Sequence, residues 1–548
     1  MAQQLLPTTA PSIISTTSED MRPGNRQDAS VGSYGRSIVA SPISALAVEL
    51  LSEILAMASG YEEGYSEASE GNRNHRWSPL VILGEVCKNW RDVILGTPKL
   101  WTTLIVNPSM DFKFTNLIQK RIFRSGGLPI SLVVRHRRGS GGVTLEDIQP
   151  LLDLIRTCSA RWNRVFLYKV DCDVLYEIFK NLKDTTRIED LRIVYGSLWK
   201  EVPMFQPLRP HKFEAQTISG ALVHFHDLNF LQWDNLRHLI VDDIDAELVL
   251  HIVNHAVNLE TIVIKSIRLN TFRYHIHGNV ITLPNERKSI HNSSVTHLEM
   301  SLLGVKDALQ YLCFPSLKTL VCRLDPKGAW EDSFYSEETE IVEFFERSHA
   351  IMPIQNVMLE LQACNGMTLL GHEGLGPWSV RGSSIWHSRY PPLTHLRINV
   401  DSFKVSPKTF DDTLRELRYG AEDDSVLFPS LQILEIQLIY FMKPDRWNSF
   451  IDMFPPSIAY HGTEKSPHSY LVKPMRRSLS KVALKLVNKD EVLRPLVHDG
   501  DLMKQDQFLQ LLNIQRSGVE LQLIGRDGED FLVHAGRKYR SDSKDNEE

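Results

Sequence analysis

The 548-residue sequence contains no run of about 18 apolar residues, the length a membrane-crossing helix needs. Its most apolar stretch, LQILEIQLIYFM (431–442), is interrupted by Gln432, Glu435 and Gln437. No basic segment followed by an apolar block opens the chain, so no secretory signal is expected. Cysteine is sparse. Cys87, Cys158, Cys172, Cys313, Cys322 and Cys364 form no CxxC pair and no metal-ligand spacing. That argues against a disulfide framework and predicts reduced thiols in an intracellular protein, cytoplasmic or nuclear. Charge of one sign is also missing. The 61 Lys and Arg stand against 67 Asp and Glu, a net charge of −6. No nucleic-acid partner and no membrane partner are expected from that balance.

Catalytic signatures are equally scarce. There is no Walker-type phosphate loop and no GxSxG nucleophile elbow. His251 and His255 lie four apart on a predicted helix, where two imidazoles share a face, but HIVNH lacks the glutamate of HExxH. His224 and His226, and His275 and His277, are pairs without a neighbouring carboxylate or cysteine cluster. GHEGLG from Gly371 follows no clean strand and reads as a loop. RHRRGSGG (135–142) and KPMRRSLSK (473–481) read as exposed basic loops. No catalytic, cofactor-binding or metal-binding residue is assigned, no cofactor is expected, and the chain is expected not to be an enzyme. The remaining enzymatic alternative is a metal-dependent hydrolase built around His251 and His255. Asn292-Ser293-Ser294 is a glycosylation sequon by letter, and an intracellular reading leaves it unused.

What is present falls into two patterns. Residues 1–41 are rich in Ser, Thr, Pro, Gly and Gln and read as disordered. The next segment, 42–107, has helical periodicity. Leu46, Leu50, Ile54 and Met57 recur at helical spacing with Leu51 and Leu55 beside them, and Glu49 and Glu53 fall opposite. Ser44 is the expected cap of that helix. A polar loop follows (60–77). Ser78-Pro79 then starts a second helix, with Leu83, Val86, Cys87, Trp90, Val93 and Ile94 on one face and Gly96 as its left-handed stop. Thr97-Pro98 opens a short third turn closed by Leu100 and Trp101.

The second pattern is apolar-x-x-apolar-x-apolar. It appears as WNRVFL at Trp162, IEDLRI at Ile188, LRHLIV at Leu236, LETIVI at Leu259, VTHLEM at Val295 and LKTLVC at Leu317. It returns at Ile354, Leu393, Leu431 and Leu479, and FPSL precedes a strand from Phe314 and from Phe428. Several gaps, 22 to 26 residues, match the 20–29-residue period of leucine-rich repeats. Alternating apolar residues bury one strand face, and a single short strand cannot do so alone, so copies must stack. DAELVLHIVNHA (245–256) reads as a helical connector. The asparagine usual after such repeats is replaced by Ile244, Ile267, Leu303 and Asp401. The fold class is therefore α/β. A small helical unit precedes an irregular repeat array over 108–525 and a polar tail over 526–548. Residues between the repeat positions face solvent, and His238, Asp242, Lys265, Glu299, Arg323, Glu360, Arg397, Glu435 and Lys485 form the candidate target-binding face.

LAVELLSEIL (46–55), VCKNWRDV (86–93) and TPKLW (97–101) together resemble the F-box motif, in order and in content, with Ala47 where the family carries proline. The arrangement is similar to the F-box proteins of mushroom-forming fungi, and the region behind it is similar to a leucine-rich-repeat solenoid. The resemblance implies a Skp-type adaptor and, through it, a cullin ubiquitin ligase. Leu46, Leu50, Leu51, Ile54, Val86, Cys87, Trp90, Leu100 and Trp101 become the candidate adaptor-binding residues. The implied function is the substrate-recognition subunit of that ligase, its solenoid holding an unidentified target protein. The alternative is an interaction scaffold whose F-box has degenerated.

Overall fold

The computed structural model describes residues 46–58, 79–135, 144–180, 188–195, 208–217, 231–268, 289–301, 306–324, 356–362, 393–400, 431–438, 444–454, 479–486 and 503–524, with a few isolated positions besides. Residues 1–41, Ser44, the 60–77 loop, most of both basic loops, His224, His226, His275, His277 and the GHEGLG stretch lie outside them, as does the extreme C-terminus from 538.

Three short helices come first: α1 (Val48–Ala58), α2 (Pro79–Gly84) and α3 (Lys88–Gly96), followed by a 3-10 turn at Pro98–Trp101. The single helix expected from Ser78 to Gly96 is two. The chain breaks at Glu85–Cys87 because Cys87 is extended (φ −158°, ψ 168°) and its Sγ accepts from the Trp90 amide at 3.4 Å, capping a new helix. Arg91 Nε then donates to the Gly84 carbonyl at 3.0 Å and ties the second piece to the first. Gly96 is the last residue of α3 rather than a left-handed stop. Among the described glycines, positive φ occurs at Gly126 and Gly518.

Behind these helices lies one sheet of fourteen strands, hydrogen-bonded in chain order, with every pairing parallel. The strands are β1 (Thr103–Val106), β2 (Ile130–Arg135), β3 (Trp162–Tyr168), β4 (Asp190–Tyr195), β5 (Lys212–Thr217), β6 (His238–Asp245) and β7 (Thr261–Arg268). They continue as β8 (His297–Ser301), β9 (Thr319–Leu324), β10 (Asn356–Gln362), β11 (Leu393–Val400), β12 (Ile433–Leu438), β13 (Lys481–Leu486) and β14 (Glu520–Ile524). Parallel neighbours need crossovers, and crossovers share one hand. When strand order never reverses, right-handed crossovers all return over one face, and the described connecting helices share that face. The described connectors include α4 (Thr115–Arg124), α5 (Leu145–Thr157), α6 (Cys172–Phe179), α7 (Ala246–His255), α8 (Pro444–Ile451) and α9 (Gln505–Arg516). α7 occupies the segment where a helical connector is expected.

The repeat positions form the core. Trp162, Val165 and Leu167 on β3, Leu236, Leu239 and Val241 at β6, and Leu431, Leu434 and Ile436 at β12 are all buried in one continuous cluster. Four copies escape the leucine pattern. Trp101, Leu104 and Val106 spell one at β1, so the sheet starts inside the segment assigned to the helical unit. Ile130, Leu132 and Val134 make β2. β5 begins from Pro210 ahead of buried Phe213 and Ala215, and β14 from Gly518 ahead of buried Leu521 and Leu523. Between β10 and β11 the register slips so that Leu359 meets Leu396 and Leu361 meets Ile398. The slip is a single-residue bulge that leaves Thr394 unpaired, and it lets Leu393 and Leu396, three residues apart, both face the core. Near the C-terminus, Leu532 is buried in the same cluster and Ala535 packs on it, so part of the expected polar tail closes the end of the core.

At the strand entrances, successive repeats are linked by backbone carbonyls that each accept two amides. Glu189 O accepts from the amides of His211 and Lys212 (3.0 and 2.8 Å), Glu260 O from Thr296 and His297 (3.0 and 3.1 Å), and Gln432 O from Ser480 and Lys481 (2.8 and 3.1 Å). One asparagine has a distinct task. Asn292 is buried, and its Nδ2 donates to the carbonyls of Val253 (3.0 Å) and Ala256 (2.9 Å), closing the last turn of α7. The nitrogen that a glycan would need is thereby engaged in the interior.

Candidate functional site

α1, α2, α3 and the 3-10 turn enclose a core of their own, separate from that of the sheet. Leu51, Leu55, Leu80, Val93, Ile94, Leu100 and Trp101 are buried together in it, and Leu83 and Trp90 pack half-buried against it. Trp101 Nε1 donates to the Ile94 carbonyl at 2.7 Å, and the Arg124 guanidinium from α4 lies 4.7 Å from its ring centroid. Lys99 Nζ reaches Glu53 Oε1 at 2.7 Å, pinning the turn to α1.

The nine candidate adaptor residues therefore separate into two sets. Leu51, Leu100 and Trp101 face inward, and Trp90 joins them. They hold the unit together, because an apolar arc wider than the small core can cover must leave some members outside. Leu50 is 58% exposed, Ile54 39% and Val86 60%; Cys87 is exposed too, and Leu46 is half-buried. Met57, placed on the same helical face by its spacing but not among the nine, is 65% exposed, and Val48 and Ile82, which the spacing did not mark, are exposed at 55% and 49%. The signal at Met57 was the same apolar periodicity, which marks an apolar face without saying what covers it. Leucines and isoleucines scattered singly on a surface are ordinary; a concentration on two short helices is the informative case.

All nine candidate target-face residues project from the sheet's outer face, opposite the core. His238, Lys265 and Lys485 are exposed, and Lys265 sits at the register irregularity between β6 and β7, 3.9 Å from Glu214. Asp242 Oδ1 accepts from Ser266 Oγ at 2.8 Å, and Ser266 Oγ in turn accepts from the Asp243 amide, which holds Asp243 at a positive φ of 57°. Arg323, Glu360, Arg397 and Glu435 are register partners on four consecutive strands. Arg323 contacts Glu299 at 2.9 Å and Glu360 at 3.0 Å, Asn399 donates to Glu360, and Arg397 Nε donates to Glu435 at 2.6 Å. Burial alone would raise the Glu435 carboxyl, but the hydrogen bond and charge of Arg397, with His395 beside it, hold it below the usual range. Burial, ahead of the charges around it, pushes His395 below the ordinary imidazole value. Five of the nine thus form two ion-paired groups, Glu299–Arg323–Glu360 and Arg397–Glu435, rather than separate solvated charges, although Arg323 Nε and Glu360 Oε2 are buried without a hydrogen bond.

His251 and His255 do share one face of α7. Their rings stack at 3.9 Å, and His255 Nδ1 donates to the His251 carbonyl at 2.8 Å. Burial, and then the adjacent His255, drive His251 down to about 4. Among the described residues no group of three His, Cys, Asp or Glu side chains is placed to hold a metal. Cys87, Cys158, Cys313 and Cys322 are unpaired thiols, and burial pushes Cys322 up to about 12. Among the described residues no helix is long and apolar enough to cross a membrane.

No protein-family model matches the chain. No curated protein matches it either.

Proposed function

We propose that the chain is the substrate-recognition subunit of a Skp–cullin–F-box ubiquitin ligase. The helical unit docks the adaptor, and the parallel array, read as an irregular leucine-rich-repeat solenoid, holds the target. The observation that carries this reading is the division of α1, α2 and the turn that follows α2. Leu51, Leu55 and Leu80 complete an internal core, while Leu50, Ile54, Ile82 and Val86 remain outside it. A small unit with a sealed core and an additional apolar face fits a partner helix better than it fits an independent surface. The outer face of the described strands, which carries His238, Lys265 and Lys485 in exposed positions, supports the second half of the reading. Catalysis then resides in the partners, and the receptor acts by raising the effective concentration of ubiquitin chemistry at the bound target.

The test is co-purification of the full chain with a Skp-type adaptor, with and without Leu50→Glu. Stable association of the wild type and its loss in the folded variant are expected. A folded wild-type protein that ignores the adaptor and retains another partner would favour the scaffold reading, in which the F-box has degenerated.

A further inference from the structure

Phe123 is 86% exposed, more than any other large apolar side chain among the described residues; Met57 follows at 65%. It stands near the end of α4, where the turn Phe123–Pro129 carries the chain toward β2, and the same turn exposes Leu128 at 40%. This turn lies inside 79–135, the longest uninterrupted stretch of described chain. A single apolar residue on a surface is ordinary. What sets this one apart is how it is held and what surrounds it.

The turn is fixed from within. Ser125 is fully buried; its amide donates to the Arg121 carbonyl at 3.0 Å and its Oγ to the Ile122 carbonyl at 2.6 Å. The Gly126 amide donates to the Phe123 carbonyl at 3.0 Å, and a φ of 57° at Gly126 lets the chain double back. The Leu128 amide then donates to the Ser125 carbonyl at 3.2 Å. Arg161, just ahead of β3, closes the arrangement: its Nε donates to the Leu128 carbonyl at 2.9 Å and its Nη2 to Ser125 Oγ at 2.6 Å. An aromatic group presented on a turn already ordered loses little entropy when it is covered, and aromatic groups are frequent anchors of binding.

The surroundings carry charge of one sign. Lys120 is three residues before Phe123 and therefore on the same side of α4. Arg124 follows Phe123, with its guanidinium 4.7 Å from the Trp101 ring centroid, and Arg161 lies across the turn. Among the described residues none of these three cations has a carboxylate in ion-pair contact. From Phe112 to Thr144 the sequence holds seven Lys and Arg and no Asp or Glu, in a chain whose carboxylates outnumber its cations 67 to 61. The apolar surface is a point rather than a stripe. Leu117, 46% exposed, lies about 120° around the helix from Phe123, and Asn116, Gln119 and Lys120 are exposed on the same helix. A helix lying on a membrane needs a broad apolar face. One anchor bordered by cations instead complements a peptide that carries one apolar group among carboxylates.

We infer that the turn after α4 docks an acidic segment of a partner protein, which packs an apolar side chain on Phe123 and sets carboxylates against Lys120, Arg124 and Arg161. The inference goes beyond the ligase reading and does not depend on it.

The test is selection of a display library of random peptides of about 12 residues on the purified full chain, followed by retention on Phe123→Ser and Lys120→Glu. The expected result is enrichment of Asp and Glu together with an aromatic residue or leucine. Retention is expected to fall at least roughly tenfold with either substitution, and to weaken when salt is raised to about 0.5 M. Circular dichroism establishes that the variants are folded; if Phe123→Ser is not, Lys120→Glu is read alone against the same threshold. Neutral or basic peptides, binders indifferent to the substitutions, or no binders at all would each overturn the inference. Vesicles of phosphatidylserine and phosphatidylcholine are offered in parallel, and vesicle binding that needs Phe123 without any acidic peptide being selected would overturn it in favour of a membrane. Self-association abolished by Phe123→Ser, read by analytical ultracentrifugation, would overturn it in favour of a second copy of the chain.

Discussion

Leu50 and Leu51 are adjacent, identical in type and on one helix, yet the structure gives them opposite consequences. Leu51 is 1% exposed inside the helical unit, and Leu50 is 58% exposed outside it. Truncating a buried leucine to alanine costs about 2–5 kcal/mol. A unit of about 60 residues has a total stability of roughly 3–9 kcal/mol at typical values per residue. Leu51→Ala therefore removes a large fraction of the stability of α1–α3. Leu50→Glu sits on the surface and is expected to change stability by no more than about 0.5 kcal/mol. Binding reverses the order. Complete burial of a leucine contributes about 1.5–3 kcal/mol, so covering the exposed portion of Leu50 contributes about 1–2 kcal/mol. That alone corresponds to roughly 5–30-fold in adaptor affinity, and a carboxylate forced into an apolar contact costs more. Hydrogen exchange of the segment 48–101 reads local stability, and titration with a purified Skp-type adaptor reads affinity. The expected outcome is fast exchange for Leu51→Ala, and wild-type exchange with adaptor binding lost for Leu50→Glu. If Leu50→Glu accelerates exchange as much as Leu51→Ala does, Leu50 packs on its own chain. If it leaves the affinity unchanged, the exposed face is not the contact. Either result refutes the reasoning.

Two further predictions concern the array. Asn292→Ala leaves the Val253 and Ala256 carbonyls without their side-chain donor, and a loss of about 1–3 kcal/mol is expected by urea denaturation; an unchanged midpoint would remove its structural role. His251 carries a pKa lowered from 6.5 to about 4, so between those values the unfolded chain takes up a proton that the folded chain refuses. Its contribution to stability is complete above pH 6.5 and is lost as the pH falls toward 4. The difference in urea midpoint between pH 7.5 and pH 4.5 is therefore expected to shrink in His251→Gln, and an identical difference in both proteins would contradict the assignment.

The sequence by itself determined which residues line the long core, because alternation along a strand is a local property. Val165 with Leu167, and Leu434 with Ile436, are marked by their spacing whatever else the chain does. It also marked the apolar arcs of α1 to α3 and the outward residues of the sheet. Tertiary structure decided the rest. Pro210 and Gly518 stand where the repeat carries a leucine, so those copies became visible only when their strands paired with neighbours. The break at Glu85–Cys87 depended on a thiol capping a new helix and on Arg91 reaching back to Gly84. Arg323, Glu360, Arg397 and Glu435 are about 37 residues apart along the chain but adjacent in space, so the pairing of Arg323 with Glu360 and of Arg397 with Glu435 was invisible to any local pattern. Leu50 and Leu51 mark the same divide. Periodicity states that a side chain avoids water, while only the packing of three helices around a limited volume decides which leucine is covered from within and which is left for another surface.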